Sequence, residues 1–226
     1  MEQKFQYEAV KGDELIFKYR IHHPVNTIQN PGLLILLHGV GSNEDDLFRF
    51  TNSLPENLII VSARAPYTLG PNRYAWYEVD FSKGKPIYNA EQAEKSLLVI
   101  KLFINQLIER YSVDQSKIYL SGFSQGAIMS YSAGLTFPEK LTGIAALSGR
   151  ILEEIRPLIK TSPALHHLKV FIAHGTADNV LPVHYAREAK TLIDQYGPRL
   201  TYHEYTMGHS IDQFVLTDLN HWLRQE

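Results

Sequence analysis

The sequence contains no cysteine at all, which excludes disulfide bonds, thiolate nucleophiles and metal sites with cysteine ligands. No apolar stretch approaches the ~20 residues that a membrane-spanning helix needs. The first residues, MEQKFQYEAVKGDEL, lack the apolar core of a signal peptide. Lysine and arginine form no runs, and the formal charge of -2 gives nucleic acids or anionic membranes little attraction. We therefore expect a soluble cytoplasmic protein that binds no nucleic acid and does not insert stably into membranes.

What the sequence does contain is an alternation of apolar strands and amphipathic helices. Gly32–Leu37 is continuously apolar, as buried parallel strands are, whereas residues 91–111 carry apolar side chains at helical spacing. Strands separated by helices predict an α/β fold with a mostly parallel central sheet and helices on both faces. The 226 residues contain no internal repeat, low-complexity tract or linker, and 44% of them are hydrophobic. We therefore predict one domain that spans residues 1–226 and has a sizeable core.

The sequence around Ser124 has a serine between two glycines, Gly122 and Gly126, at a junction of strand and helix. Residues 117–121 form a short apolar and β-branched run, which predicts a buried strand, and residues 127–135 are small and apolar at helical spacing. A serine at such a tight turn adopts a strained backbone conformation, and the flanking positions have room for almost no side chain. Because the turn exposes the hydroxyl above the sheet, we predict that Ser124 is a nucleophile.

Two later loops supply the acid and the base that a serine nucleophile requires. Asp178 follows the apolar run at residues 168–173, and His209 follows a further predicted strand at residues 200–205. Hydrolases with this kind of serine turn have the acid and then the histidine later in the chain. Ligands of open α/β sheets bind at the C-terminal ends of the strands. We therefore expect Ser124, Asp178 and His209 to meet at one edge of the sheet as a catalytic triad.

An acyl-transfer site also needs hydrogen-bond donors for the negative charge that develops on the substrate oxygen. In this arrangement the donors are the backbone N–H after the nucleophile and one from the loop after an early strand. Here these groups belong to Gln125 and to Val40, which lies in the loop after Gly32–Leu37. Because the donors are backbone groups, we expect the side chains of Gln125 and Val40 to matter mainly for pocket shape.

Several short segments together resemble the phospholipase/carboxylesterase family, which includes acyl-protein thioesterases and small bacterial carboxylesterases of the α/β-hydrolase fold. The segments occur in family order over nearly the whole chain: LLHGVGSNEDDL, ARAP, AWYEVDF, SGFSQGA, ALSG, AHGTADNVLPV and MGHSI. The resemblance implies Ser124 as nucleophile, Asp178 and His209 as acid and base, and Val40 with Gln125 as oxyanion hole. Better-known thioesterases of the family often have leucine at the position of Val40, a difference that alters the shape of the pocket rather than its chemistry.

Two loops at the predicted catalytic edge are expected to shape the substrate site. Residues 63–89 form an unusually long connection that is rich in aromatic side chains. Residues 149–167 occupy the place where many lipases insert a helical cap, yet this segment is short. We therefore expect a shallow site without a separate cap domain. The predicted substrate contacts in these loops are Tyr74, Trp76, Tyr77 and Leu152.

The sequence leaves more than one function open. A serine hydrolase that cleaves carboxylic esters, as a carboxylesterase, thioesterase or lysophospholipase, fits the complete set of predicted groups. A peptidase or lactone hydrolase on the same fold is an alternative, although lactone hydrolases of the dienelactone type normally use a cysteine. A non-catalytic binding protein is a further alternative, but such proteins usually lose a triad residue. For the enzyme we expect a small-molecule ester or acylated molecule as partner, a monomer or homodimer, and neither cofactor nor metal.

Overall fold

A computed structural model describes residues 15–24, 26, 28–80, 82 and 87–225 of the chain. Residues 1–14 lie outside the described part. They belong to the N-terminal segment in which no signal peptide is predicted. Within the described ranges, no helix is both long enough and apolar enough to cross a lipid bilayer.

The described residues build one large sheet and two small hairpins. In chain order the strands are β1 (Tyr19–His22), β2 (Gly32–Leu37), β3 (Leu58–Ala63), β4 (Tyr67–Gly70), β5 (Arg73–Ala75), β6 (Val79–Asp80), β7 (Ile87–Tyr88), β8 (Ile118–Phe123), β9 (Gly143–Leu147), β10 (Lys169–Gly175) and β11 (Arg199–Tyr205). The large sheet has seven strands in the order β1-β3-β2-β8-β9-β10-β11. β1 pairs antiparallel with β3, and all other neighbours in this sheet are parallel. The predicted mostly parallel sheet is therefore confirmed.

Helices cover both faces of the large sheet. In chain order they are α1 (Asp45–Phe48), α2 (Ala90–Tyr111), α3 (Gln125–Thr136), α4 (Pro163–His167), α5 (His184–Tyr196) and α6 (Gln213–Arg224). Buried residues of α2, α3 and α5 pack against one face of the strands, and buried residues of α1 and α6 pack against the other. The predicted arrangement with helices on both faces is thus confirmed, and the sheet lies between two apolar layers.

The two long loops contain more regular structure than the sequence predicts. Residues 63–89 include the hairpins β4–β5 and β6–β7, and residues 149–167 contain a 3₁₀ helix (Glu153–Leu158) and α4. Hydrophobic periodicity cannot reveal such short elements, because β6 and β7 have only two residues each. In the second segment, which is described throughout, Ile155 and Leu165 are buried in the main core. This segment forms no separate cap domain.

Two glycines allow the end of β8 and the start of α3 to pack closely. A Cβ on Gly126 would lie 1.9 Å from the carbonyl oxygen of Leu37 in β2, and a Cβ on Gly122 would lie 2.2 Å from the backbone of Gly126. No side chain fits at either position, so the helix begins directly over the sheet. The turn between them gives Ser124 a φ of 54°, which is the strained conformation that the sequence predicts.

Gly126→Ala should destabilise the fold severely, because the added Cβ would overlap with the carbonyl oxygen of Leu37. We expect a loss of more than about 3 kcal/mol in the free energy of unfolding, or a failure to fold. Gly70→Ala is the matched control: a Cβ there meets nothing within 4 Å, so the change should stay within about 0.5 kcal/mol. Urea unfolding measures both variants, and a stable Gly126→Ala protein would contradict the close contact.

Candidate active site

The three side chains predicted as a triad form a continuous hydrogen-bonded chain. Nε2 of His209 lies 2.9 Å from Oγ of Ser124, and Nδ1 of His209 lies 2.7 Å from Oδ2 of Asp178. Since an ionised carboxylate only accepts hydrogen bonds, Nδ1 carries the proton and Nε2 is available to accept the proton of the serine hydroxyl. The arrangement can therefore remove a proton from Ser124, as general-base catalysis requires.

The fold brings these side chains together because they follow parallel strands. Ser124 comes directly after β8, Asp178 lies in the loop after β10, and His209 lies in the loop after β11. β8, β9, β10 and β11 are consecutive neighbours in the sheet and run in the same direction. Their C-terminal ends therefore meet at one edge, where the predicted residues lie.

Backbone groups hold the carboxylate of Asp178, which is buried. Its Oδ1 accepts hydrogen bonds from the N–H groups of Val180 and Leu181, both at 2.8 Å. Nε2 of His174 donates to the carbonyl of Leu181 at 2.7 Å and lies 3.4 Å from Oδ2 of Asp178. Burial lowers the pKa of His174, which favours the neutral ring beside this carboxylate.

The two predicted oxyanion donors lie beside the serine. Gln125 is the next residue in the chain, and the loop of Val40 is close to the serine as well, since a Cβ on Gly39 would lie 3.4 Å from Cβ of Ser124. Neither the N–H of Val40 nor that of Gln125 donates a hydrogen bond to any group that the structure describes. Two free donors next to a hydroxyl can stabilise an oxyanion that forms there.

His38 holds the loop of Val40 in position from the interior. Its Nε2 accepts a hydrogen bond from the N–H of Ala65 at 3.1 Å, so its Nδ1 carries the proton and donates to the carbonyl of Gly39 at 2.7 Å. This carbonyl belongs to the same peptide unit as the N–H of Val40. Because a peptide unit is planar and trans, fixing its oxygen also fixes the direction of its N–H.

The side chain of Gln125 contributes more than pocket shape, and the expectation that it matters mainly for shape is wrong. Its Oε1 accepts the N–H of Trp76 at 2.8 Å, and its Nε2 donates to the carbonyl of Tyr77 at 2.6 Å. The side chain is buried, and its two hydrogen bonds hold the 63–89 segment against the turn at Ser124. No pattern in the sequence could have indicated this, because both partners are backbone groups.

The predicted substrate contacts lie in different environments. Trp76 and Tyr77 are buried, and the indole N–H of Trp76 donates to a backbone carbonyl at 2.9 Å. Tyr74 is half-buried. Leu152 is buried and lines a cavity of about 320 Å³ between α2 and the 3₁₀ helix Glu153–Leu158. Their contact with substrate stays a prediction, whereas Trp76 and Tyr77 have a clear structural contribution.

A partly buried ion pair beside the Val40 loop was not predicted from the sequence. Nε of Arg64 donates to Oε2 of Glu44 at 2.6 Å, and Nη2 of Arg64 pairs with Oε1 of the same carboxylate. Burial by itself would raise the pKa of Glu44, but the Arg64 guanidinium outweighs it and holds that pKa below its usual value. Arg64 also donates to the hydroxyl of Tyr74 at 3.0 Å. Residues this far apart in the chain follow no spacing rule, so their pairing requires the structure.

Replacement of His38 by glutamine should make the protein less sensitive to acid. Burial lowers the pKa of His38 in the folded protein, so the unfolded chain binds this proton first as the pH falls below about 6.5. Each such histidine then removes up to about 1.4 kcal/mol of unfolding free energy per pH unit, until the pH falls below the folded pKa. Glutamine keeps one donor and one acceptor but does not titrate.

Urea unfolding between pH 8 and pH 5 measures the effect. His38→Gln should lose stability less steeply than the wild type below about pH 6.5, although His174, whose pKa burial also lowers, keeps the slope above zero. Identical slopes in the two proteins would contradict a neutral, buried His38.

Gln125→Leu should lower the free energy of unfolding by about 2–4 kcal/mol, because two buried backbone groups lose their partner. These groups are the N–H of Trp76 and the carbonyl of Tyr77. Ser130→Ala is the control on the same helix, since it removes only a bond within the helix and should cost less than about 1 kcal/mol. Equal urea midpoints for the two variants would contradict a stabilising contribution from the Gln125 hydrogen bonds.

Sequence comparisons agree with the geometry of the site. The model of the Phospholipase/Carboxylesterase family matches residues 24–226 of this chain. Acyl-protein thioesterase 1 of Candida albicans is 28% identical over an alignment of 218 positions that covers 88% of this chain and 94% of the relative. The protein of the same name from Emericella nidulans is 26% identical over an alignment of 212 positions that covers 84% of this chain and 88% of the relative.

Solved structures of esterases have the same fold. Esterase PE8 superimposes with a TM-score of 0.78 at 28% identity and covers 92% of this chain and 98% of its own. The carboxylesterase of Bacillus cereus shares the fold, with a TM-score of 0.77 at 22% identity and coverage of 92% and 93%. Since the family model also includes every residue of the hydrogen-bonded chain and both neighbouring donors, this protein belongs to the phospholipase/carboxylesterase family of α/β-hydrolases, enzymes that act on esters.

Proposed function

We propose that Ser124, His209 and Asp178 are the catalytic triad with which this esterase hydrolyses its substrate. The observation that carries the proposal is the hydrogen-bonded chain from Oγ of Ser124 through His209 to Asp178, with distances of 2.9 Å and 2.7 Å. The strained turn at Ser124 supports it, because such turns expose a serine to substrate. Membership in a family of ester hydrolases supports the same reaction class.

In the first half of the reaction, Nε2 of His209 takes the hydroxyl proton while Oγ of Ser124 bonds to the carbonyl carbon. The carbonyl oxygen becomes an oxyanion that the N–H groups of Val40 and Gln125 stabilise, and loss of one such donor typically costs ~10²–10³ in rate. Asp178 stabilises the imidazolium. His209 then returns the proton to the leaving alcohol or thiol, whose bond to carbon breaks and leaves the acyl group on the serine.

In the second half of the reaction, His209 takes a proton from water as the water oxygen bonds to the acyl carbon. The same two N–H donors stabilise the second oxyanion. The bond between this carbon and Oγ of Ser124 then breaks, and His209 gives its proton to the serine oxygen. The products are the carboxylic acid and the regenerated enzyme.

The substrate class that we propose is a carboxylic ester or thioester, carried by a small molecule or by an acylated larger molecule. The relatives named acyl-protein thioesterase 1 support the thioester alternative, and esterase PE8 supports the oxygen ester. Membership in an ester-hydrolysing family favours both over peptide hydrolysis and over a non-catalytic binding protein. Thioesters and esters use the same oxyanion donors, since only the leaving atom differs.

We propose further that residues 1–226 act as a single domain in the cytoplasm, as a monomer or a homodimer. In support, β1 and β11, from the two ends of the described chain, belong to one sheet. The lack of cysteine suits a compartment in which disulfides do not form.

Ser124→Ala should lose at least about 10⁴ of the rate of p-nitrophenyl ester hydrolysis, because the variant has no nucleophile. It should also lose labelling by a fluorophosphonate probe, which reacts with activated serines. Ser130→Ala, which removes a buried hydroxyl from the same helix, should keep both properties. Hydrolysis by Ser124→Ala at the wild-type rate would overturn the assignment of the nucleophile.

A series of acyl chain lengths, tested with matched oxygen and sulfur esters, narrows the substrate class. A maximum at short chains would support a small-molecule carboxylesterase. A maximum at long chains would support lysophospholipids or acylated proteins, and a preference for the sulfur ester would support a thioesterase.

A further inference from the structure

Arg150 lies at the catalytic edge, where β9 ends beside the nucleophile turn. The N–H of Ser124 donates to the carbonyl of Leu147, the last residue of β9, at 2.9 Å. The chain then passes Gly149, which lies against α3 because a Cβ there would be 2.6 Å from Cβ of Ala127. Three residues of chain keep Arg150 within about 11 Å of Leu147. Arg150 therefore follows the strand end that is hydrogen-bonded to the turn at Ser124.

Two tyrosines, one in β7 and one in α5, hold the guanidinium of Arg150. Its Cζ lies 5.2 Å from the ring centroid of Tyr88 and 5.9 Å from that of Tyr185. Tyr88 ends the 63–89 segment, and its ring lies 5.6 Å from the ring of Tyr77, which is hydrogen-bonded to the nucleophile turn. Tyr185 is in the first turn of α5, shortly after the loop of the triad aspartate. The guanidinium thus connects the end of the 63–89 segment with the start of α5.

No carboxylate neutralises the charge of Arg150. Among the described residues, none lies within 4.0 Å of its guanidinium to form an ion pair. The acidic residues that follow in the chain have other partners: Glu153 pairs with Arg156 at 3.0 Å, and Glu154 accepts the hydroxyl of Tyr88. A side-chain hydrogen bond to Tyr88 uses part of the guanidinium. Because a guanidinium has five N–H donors, others stay available.

We propose that Arg150 recognises an anionic group, a carboxylate or a phosphate, on the ester that Ser124 cleaves, and makes the enzyme selective for anionic esters. The inference rests on the proposed function of Ser124. The planar fork of an arginine matches both kinds of oxyanion bidentately, and the two rings hold the fork before the substrate arrives. A side chain needed only for packing between these rings could be neutral, whereas this one carries an unpaired charge. Glu154, in the same cluster, opposes the attraction.

Pairs of esters that differ in one charge test the proposal. Mono-p-nitrophenyl glutarate has a carboxylate where p-nitrophenyl valerate has a methyl group, and 4-carboxyphenyl valerate, beside its methyl ester, has the charge on the leaving group. We expect the wild type to have a higher kcat/KM for the anionic member of at least one pair. Arg150→Gln should reduce that preference ~10-fold or more, as loss of a charge-assisted hydrogen bond does. The preference of Arg150→Lys for the anionic ester should lie between those of the wild type and Arg150→Gln, and Glu154→Gln should raise this preference.

Arg156→Gln is the matched control, because it removes an arginine of the same segment that already has a partner. It should leave the preference for anionic esters unchanged. Competitive inhibition of valerate ester hydrolysis by phenyl phosphate and by benzoate distinguishes a phosphate from a carboxylate as the recognised group.

Calorimetry on the Ser124→Ala protein measures binding without turnover. Mono-p-nitrophenyl glutarate and phenyl phosphate serve as ligands, and adding Arg150→Gln should weaken the tighter of the two about 10-fold. A wild type that hydrolyses none of the esters would refute the proposed function. The binding measurement would then test by itself whether Arg150 binds an anionic group. Ester preferences and affinities that Arg150→Gln leaves unchanged would overturn the proposal.

Discussion

The close contact between the first turn of α3 and the end of β2 is the constraint on which the site depends. Gly126 approaches the carbonyl oxygen of Leu37 only because it has no side chain. With the helix seated there, the chain has to turn within a single residue, and Ser124 adopts its positive φ. The same contact directs the side chain of Gln125 into the interior. The strained turn at Ser124 and the position of the free N–H of Gln125 therefore have one structural cause, and a bulkier helix start would displace both together.

Buried hydrogen bonds then fix the loops around this turn, which apolar packing alone would leave free to shift. His38, Gln125 and Asp178 each pair with backbone groups of a loop. Such contacts are directional, and breaking one in the interior leaves a polar group without a partner. Each loop is therefore restricted to one arrangement. Stabilisation of an oxyanion depends on donors that already point at the developing charge and do not have to reorganise.

The sequence predicts those parts of the site that follow from the direction of the chain. Parallel strands end at a common edge, so strand order alone assigns Asp178 and His209 to the edge of Ser124, and the structure brings the three together. The hydrogen bonds of the Gln125 side chain could not be predicted, because their partners are backbone groups 48 and 49 positions away. The hairpins within residues 63–89 were not predicted for another reason: strands of two residues, such as β6 and β7, are too short to show a hydrophobic period.

The chemistry of the reaction and the choice of substrate depend on different parts of the molecule. The groups that we propose for the reaction are backbone N–H groups and side chains at strand ends, and an identity of only 28% is compatible with the same fold. Tyr88 in β7, Arg150 after β9 and Tyr185 in α5 contact one another through ring contacts that the large sheet does not impose. A substitution of Arg150 would change the charge of this cluster without disturbing the glycine contact at the turn of Ser124. Substrate selectivity can therefore differ between two members of the family whose sheets and triads superimpose.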